Sequence, residues 1–254
     1  MGSDALQDDA LQQLCDRGQA ALMSTDYVAA EALLQKAERL AVQSQAWDTL
    51  SRLYMPLQEA RRQRRQKAGE GIVRLDLIAR GPAEVLNPVE WVNRYPHGQF
   101  LVAGWGTLTP AVRVRELQRE RGLYAETFLA AVFPVLDHAP PAEAERVVVL
   151  VPFADTPLPD PTPRARQELY RMLPPTALAI PARDLPVGEK MGTTQTYAEV
   201  MALWERLHAP YLKAADAMTN PTEKMEAYRK TIEVDSACEL AHQRLSDVAG
   251  KLVW

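Results

Sequence analysis

The sequence has few of the residues that carry out covalent chemistry. Its 254 residues include two cysteines and four histidines, and its serines stand only at positions 3, 24, 44, 51, 236 and 246. Between Ser51 and Ser236 the chain therefore offers neither a Ser nor a Cys nucleophile, which argues against Ser–His–Asp and Cys–His hydrolases there. Cys15 and Cys238 lack the paired spacing of a zinc or redox motif, so we interpret them as small buried hydrophobic residues.

Long apolar runs and an excess of either charge are also absent. No apolar run approaches the roughly 18 residues that a membrane span needs, and the acidic first ten residues do not resemble a secretory signal. The formal net charge of −4 gives no global reason to bind nucleic acid. We therefore expect a cytoplasmic protein with no membrane partner, no nucleic-acid partner and no cofactor.

The first part of the chain, residues 1–68, has a helical pattern. Apolar residues recur every three or four positions from about residue 5 to residue 67, with breaks at STDY (24–27) and QSQ (43–45), which predicts three helices. Gly18, Ala30 and Ala37 are small residues at positions where two helices would cross. With Asp26-Tyr27 in the turn and Leu34 beside them, residues 8–60 resemble a tetratricopeptide repeat, a helix pair of about 34 residues.

Residues 196–254 carry a second pattern of this kind. Asn220-Pro221 is a typical helix start, and Tyr228, Ala241 and Leu245 follow at the spacing of a helix pair. Residues 203–250 thus also resemble a tetratricopeptide repeat, and this resemblance implies a protein partner. Because a lone helix pair has too little core, we expect the two helical ends to pack together. Pro210 is expected to break the helix that begins near Thr196.

The middle segment, residues 69–195, predicts an α/β domain. Four β-rich runs at 72–79, 100–103, 146–153 and 177–180 alternate with helical segments, which favours a small, mainly parallel four-stranded sheet with helices on its faces. The run 146–153, which is apolar on both faces after Arg146, is expected to be central and the run 72–79 nearer an edge. Helix starts are predicted at Asn87-Pro88, at Thr109-Pro110, at Thr162-Pro163, and at Thr196 with Glu199.

Ligands of such sheets bind at the carboxyl ends of the strands. Loops 79–84, 103–110, 152–163 and 181–196 are expected to meet there, and each of the last three leads to a helix N-terminus that favours an anion. The loop 181–196 is equally consistent with a surface excursion. The residues best suited to hold a ligand are Gly104, Gly106, Thr107, Thr109, Asp155, Asp184, Lys190, Thr193 and Thr194.

The stretch GWGTLTP (104–110) has two interpretations. It is either an anion-binding loop or a strand-to-helix turn that Thr109 caps. The turn is favoured, because the third glycine of the dinucleotide fingerprint is absent and no GxxxxGK[ST] motif occurs.

We assign structural roles, rather than binding or catalytic ones, to the basic residues and to His97 and His138. The run RRQRRQK (61–67) lies at a helix C-terminus, and the arginines at 113, 115, 119 and 121 alternate with glutamates, so both are read as solvated helix faces. His97 is expected at the amino end of a strand and His138 at the end of a helix, where neither serves as a general base. No His, Cys and Asp residues have zinc-ligand spacing.

These observations leave two hypotheses for function. The first is a non-enzymatic protein-interaction or scaffold protein, in which helical-repeat flanks surround an α/β core. The second is an α/β domain that binds an anionic small molecule, a nucleotide or phosphosugar, and acts as a transferase.

Overall fold

The computed structural model describes residues 2–136 and 145–253, so His138 lies outside the described residues. The described chain is a mixed α/β protein with helices at both ends. Its helices are α1 (Gly2–Met23), α2 (Tyr27–Gln43), α3 (Trp47–Gly69), α4 (Pro88–Arg94), α5 (Thr109–Glu120), α6 (Arg166–Met172), α7 (Thr194–Ala217), α8 (Pro221–Val234) and α9 (Glu239–Lys251). Its strands are β1 (Ile72–Ile78), β2 (Gly98–Trp105), β3 (Ala125–Val135), β4 (Glu145–Leu150), β5 (Leu178–Pro181) and β6 (Lys190–Met191).

Contacts within the chain form two compact units. The helical unit combines the residues up to Gln66 with those from His208 onward, and the α/β unit comprises Lys67–Leu207. Residues from both ends of the chain therefore share one core.

The core of the helical unit is built from the apolar stripes of its helices. Gly18 lies so close to α2 that a Cβ there would be 2.7 Å from Leu34 Cδ2. Asp26 begins α2, because its Oδ1 accepts a hydrogen bond of 3.0 Å from the backbone N–H of Ala29. The fully buried side chains include Leu34, Leu50, Tyr54, Leu57, Tyr228 and Leu245.

The predicted break at Pro210 is wrong, because α7 continues from Thr194 to Ala217 with Pro210 inside it. Proline removes one backbone N–H from the helix ladder. Buried side chains on either side of the proline, Trp204, Leu207 and Ala215, offset this single lost hydrogen bond.

The sheet differs from the expected one in size and in strand direction. It is a curled sheet of six strands in the order β5-β4-β3-β2-β1-β6. The β1–β2 and β2–β3 pairs are parallel, whereas β4 is antiparallel to β3 and to β5, and β6 is antiparallel to β1. The prediction of a mainly parallel four-stranded sheet is therefore wrong. The position of β1 near an edge is confirmed, because only the two-residue β6 lies beyond it.

The two central positions belong to β2 and β3, and the sequence pattern did not reveal β3. This strand, AETFLAAVFPV, is buried along its whole length, so it shows no alternation of polar and apolar residues. It also contains alanine, glutamate and leucine, which are common in helices. The run 146–153 was expected to be central, but β4 is the second strand from the edge.

Helices cover both faces of the sheet. On one face Phe100, Leu129 and Val149 pack against side chains of α4 and α5 such as Val92 and Val114. On the other face, Trp204 of α7 stacks on Phe128 of β3, with ring centroids 4.3 Å apart.

The predicted helix starts were partly correct. Asn87 caps α4 as expected, since its Oδ1 accepts from the N–H of Val89 at 3.1 Å. The start at Thr162-Pro163 is wrong: α6 begins at Arg166, and Arg164 forms a parallel bridge with Val135 at the end of β3.

The predicted helix start at Thr196 with Glu199 was a capping box, in which the two side chains would satisfy backbone N–H groups of the first turn. In the structure, Thr193 and Thr196 have this role instead. Thr193 Oγ1 accepts from the Thr196 N–H at 3.2 Å, and Thr196 Oγ1 accepts from the Thr193 N–H at 2.8 Å. Two hydroxyls thus satisfy the first turn of α7 reciprocally.

Glycines allow a close backbone approach where the strands begin. Gly98 has φ +148°, and a Cβ there would lie 2.0 Å from Ile72 O. A Cβ at Gly192 would likewise lie 2.0 Å from Gly69 O. No residue with a side chain fits at either position.

Candidate functional site

The geometry of GWGTLTP supports the turn interpretation. Gly104 and Thr107 form a short antiparallel bridge, and a Cβ at Gly104 would lie 2.8 Å from Thr107 O. Gly106 has φ +63°, and a Cβ there would lie 2.5 Å from Pro161. Both glycines are therefore required by the turn itself and by its packing.

The cap of α5 comes from a different threonine than expected. Thr107 Oγ1 accepts from the Thr109 N–H at 3.2 Å and lies 2.9 Å from Thr109 Oγ1. The N-cap position is Leu108, which has no side-chain cap hydrogen bond. The prediction that Thr109 caps this helix is therefore wrong, and the hydroxyl of Thr107 has that role.

Strand direction separates the other predicted ligand residues. Asp155 follows β4, which runs antiparallel to β3, so it leaves the sheet at the edge opposite to GWGTLTP. Lys190 pairs with Val73 near the start of β1, and Thr193 and Thr194 follow it, also at that opposite edge. Loop 152–163, which follows β4, therefore begins at the opposite end of the strands from loop 181–196, which follows β5. The prediction that both loops extend from the carboxyl ends of parallel strands is wrong.

Asp184 follows β5 at the same edge as GWGTLTP, but β3 and β4 lie between β5 and β2. The structure therefore brings Gly104, Gly106, Thr107 and Thr109 together in one turn and does not bring the remaining five predicted residues to it. Ligand binding by any of the nine stays a prediction.

A polar cluster that the sequence did not reveal lies at the β1 edge of the α/β unit. Arg74 donates to Tyr95 Oη at 2.6 Å, to Asp76 Oδ1 at 3.0 Å and to Glu189 Oε1 at 3.1 Å. Its guanidinium also lies 5.3 Å from the centre of the Trp91 ring. Burial and the hydrogen bond to Glu189 raise the pKa of Tyr95.

The partners in this cluster come from separated segments. Asp76 accepts the backbone N–H of Gly188 at 2.8 Å, and Glu189 accepts from Arg94 at 3.0 Å. The cluster thereby attaches the segment before β6 to β1 and α4, so its polar groups already have internal partners.

The largest departure from the sequence interpretation is a stripe of polar residues on α3. Tyr54, Gln58, Arg61 and Arg65 follow one another at spacings of four, three and four residues and are all buried, Arg61 to 5% and Arg65 to 4% exposure. The interpretation of RRQRRQK as a solvated helix face is therefore wrong for Arg61 and Arg65. Their spacing continues the apolar stripe of α3, and this was the available signal.

Arg61 joins three helices of the helical unit. Its Nε donates to Glu31 Oε1 of α2 at 3.1 Å, and its Nη1 lies 2.9 Å from His242 Nε2 of α9. Arg64 donates to Glu31 Oε2 at 2.5 Å. Burial opposes the charge of Glu31, but the nearby arginines lower its pKa below the usual value. Burial and the charge of Arg61 lower the pKa of His242 to about 3.

Arg65 makes a second buried pair, with Asp235, the residue that follows α8. Its Nη1 lies 2.6 Å from Asp235 Oδ1, and Asp235 Oδ2 lies 2.6 Å from His208 Nδ1. Burial alone would lower the pKa of His208, but the hydrogen bond to Asp235 raises it above its usual value. Burial alone would raise the pKa of Asp235, but the charges of Arg65 and His208 hold it low.

Near Tyr54 of the stripe, Arg229 of α8 lies 3.5 Å from Glu38 of α2. Burial and the neighbouring Glu38 raise the pKa of Tyr54. The stripe therefore fastens helices from the two ends of the chain to α3. The ion pairs of Arg61 and Arg65 are internal, as in a structural network.

The prediction that the arginines of α5 lie on a solvated helix face is confirmed in part. Arg113 pairs with Glu116 and Glu120 at 3.0 and 3.3 Å with half-exposed side chains, as a solvated face requires. Arg115 differs, because its Nε donates to the carbonyl oxygen of Thr127 and its guanidinium lies 5.9 Å from the centre of the Trp204 ring.

Comparisons with known proteins add no relative: no family model, no curated protein and no solved structure matches this chain. Within residues 2–136 and 145–253, no helix is both long and apolar enough to cross a membrane. The same residues contain no group of three or more His, Cys, Asp or Glu side chains placed to hold a metal ion.

Proposed function

We propose that this protein is a non-enzymatic interaction or scaffold protein of the cytoplasm, whose tetratricopeptide-like helix pairs bind a protein partner. The observation that carries the proposal is the arrangement of the helical unit. The pairs α1–α2 and α8–α9 come from opposite ends of the chain and share one core with α3. Helix-pair repeats stacked on a common core present extended surfaces that bind proteins.

The close crossing of α1 and α2 supports the tetratricopeptide-like character. At Gly18 a Cβ would lie 2.7 Å from two atoms of the Leu34 side chain. Ala30 and Ala37 on α2 are fully buried. Small residues therefore stand where the two helices approach most closely, as the sequence resemblance implies.

The internal pairing of polar groups supports the same function. Arg61, Arg65 and Arg74 are each held by side chains of this chain, so these charges need no ligand. GWGTLTP, one of the stretches considered as an anion-binding loop, has its glycines accounted for by packing. Binding of a nucleotide or phosphosugar by the α/β unit therefore lacks a specific supporting observation.

A thermal-shift screen of the full chain against nucleotides, sugar phosphates, inorganic phosphate and Mg²⁺ separates the two functions. A ligand at a hundred times its dissociation constant adds about 2.7 kcal/mol of stability. We expect no shift with any of these compounds. A shift with one of them that Thr107→Val removes would contradict the proposal and assign an anion site to GWGTLTP.

A further inference from the structure

The hydrogen bonds of His242 determine its protonation state. Its Nε2 lies 2.9 Å from Arg61 Nη1, and its Nδ1 lies 2.8 Å from Cys238 O. A guanidinium only donates and a carbonyl oxygen only accepts. His242 must therefore be neutral, with its proton on Nδ1, and a second proton would place two donors against each other.

The hydrogen bond of His208 favours the opposite state. Its Nδ1 lies 2.6 Å from Asp235 Oδ2, a short distance that is typical of an imidazolium beside a carboxylate. Asp235 is almost completely buried and also binds Arg65. If His208 lost its second proton, its ion pair with the buried carboxylate of Asp235 would become a contact between a neutral imidazole and that carboxylate.

The charged and titratable groups that face each histidine come from several elements. His242 is faced by Arg61 of α3, Glu31 of α2 and Asp235. His208 is faced by Asp235 and by the thiol of Cys238, and Arg65 of α3 is bound to the same carboxylate. The two histidines thus link α3 and α7 to the C-terminal helix pair.

We propose that His208 and His242, with Asp235 and Arg61, form a pH-sensitive clasp that holds α8–α9 in the helical unit most tightly near pH 6.5 and loosens it on either side. His242 contributes stability at pH values above about 6.5, the pKa of a histidine in the unfolded chain, and loses this contribution as the pH falls. His208 contributes stability below about 6.5 and loses it as the pH rises. The two effects have opposite signs, so together they produce a maximum.

The size of each effect follows from proton linkage. Opening here means the detachment of α8–α9 from the rest of the helical unit. For every pH unit away from about 6.5, one histidine changes the equilibrium constant of opening by up to tenfold. With the opposing contribution of the other included, opening becomes roughly eightfold more frequent at both pH 5 and pH 8 than at pH 6.5.

Hydrogen exchange of the full-length chain, measured by mass spectrometry at pH 5, 6.5 and 8 and corrected for intrinsic rates, tests the clasp. Peptides from α8–α9 should lose roughly eightfold in protection at both extremes, while peptides from β2 and β3 keep theirs. In His242→Gln, whose amide can make both hydrogen bonds without titrating, the acid loss should disappear. The alkaline loss should then reach roughly sixteenfold, since nothing opposes it.

His208→Gln should show the reverse pattern, with the alkaline loss absent and the acid loss increased. If that variant does not fold, His208→Arg keeps a permanent charge beside Asp235 and should also remove the alkaline loss. A flat profile in the wild type, both losses persisting in His242→Gln, or a parallel loss of protection in β2 and β3 would each overturn the proposal.

Discussion

Replacing Arg61 by leucine is expected to destabilise the helical unit strongly. The side chains of Arg61 and Glu31 are only 6% and 7% exposed. The substitution removes one of the two arginines that pair with Glu31, which keeps Arg64 and the amide of Gln35, and it leaves His242 Nε2 without its donor. Removing one partner of a buried, hydrogen-bonded ion pair costs about 3–5 kcal/mol.

The neighbouring Arg62 provides a matched control in the same basic run. Its side chain is 42% exposed and pairs with Glu59 one helical turn away. Exposed pairs of this kind contribute about 0–1 kcal/mol, so Arg62→Leu should leave stability nearly unchanged.

The thiol of Cys238 allows the helical unit to be followed separately. It is buried, whereas Cys15 is partly exposed and is replaced by serine in all variants. Alkylation of Cys238 in increasing urea then gives the midpoint of unfolding for this unit. With a urea dependence of about 1.5 kcal/mol per molar, Arg61→Leu should lower the midpoint by about 2–3 M.

Equal behaviour of the two variants would contradict the burial of Arg61. If Arg61→Leu and Arg62→Leu shift the midpoint by the same small amount, the run RRQRRQK is solvated throughout. If Cys238 is labelled in Arg61→Leu even without urea, the loss exceeds the total stability of the unit, which agrees with the prediction.

Three further predictions concern other parts of the fold. Gly98→Ala should cost the α/β unit more than about 3 kcal/mol, because its Cβ would lie 2.0 Å from a carbonyl oxygen at a positive φ, whereas Gly81→Ala has no atom within 4 Å and should be silent. Because Cys238 reports the helical unit, both variants are compared by hydrogen exchange of peptides from β2 in increasing urea. Thr107→Ala should cost about 1 kcal/mol through loss of the α5 cap and Thr109→Ala less, and equal costs would contradict the cap assignment. Deleting residues 220–254 should lower the melting temperature of the remaining chain, since both ends share one core; an unchanged value would show that the C-terminal pair is independent.

The parts of the fold that could be predicted from sequence are those with a clear local signal. The helical ends have apolar residues at helical spacing, and Asp26, Asn87 and Asn220 cap helices where polar side chains precede them. These features depend on residues within one or two turns of each other, so a single sequence suffices.

The parts that could not be predicted depend on distant partners. Arg61 and Arg65 are buried only because Glu31 and Asp235, 30 and 170 positions away, meet them in the fold. The nine candidate ligand residues were expected at one end of the strands because the sheet was predicted to be mainly parallel. The reversed direction of β4 and the position of β6 send part of them to the other edge.

The proposed function is tested most directly by mapping where a partner binds. The full-length chain, incubated with an extract of its native cells, is cross-linked through carboxylates, which both units carry, and the cross-links are identified by mass spectrometry. The account predicts one specific protein cross-linked to acidic residues of the helical unit, such as Asp16, Glu226 and Asp247. Specific cross-links confined to the α/β unit, or no specific partner together with stabilisation by a nucleotide or phosphosugar, would contradict it.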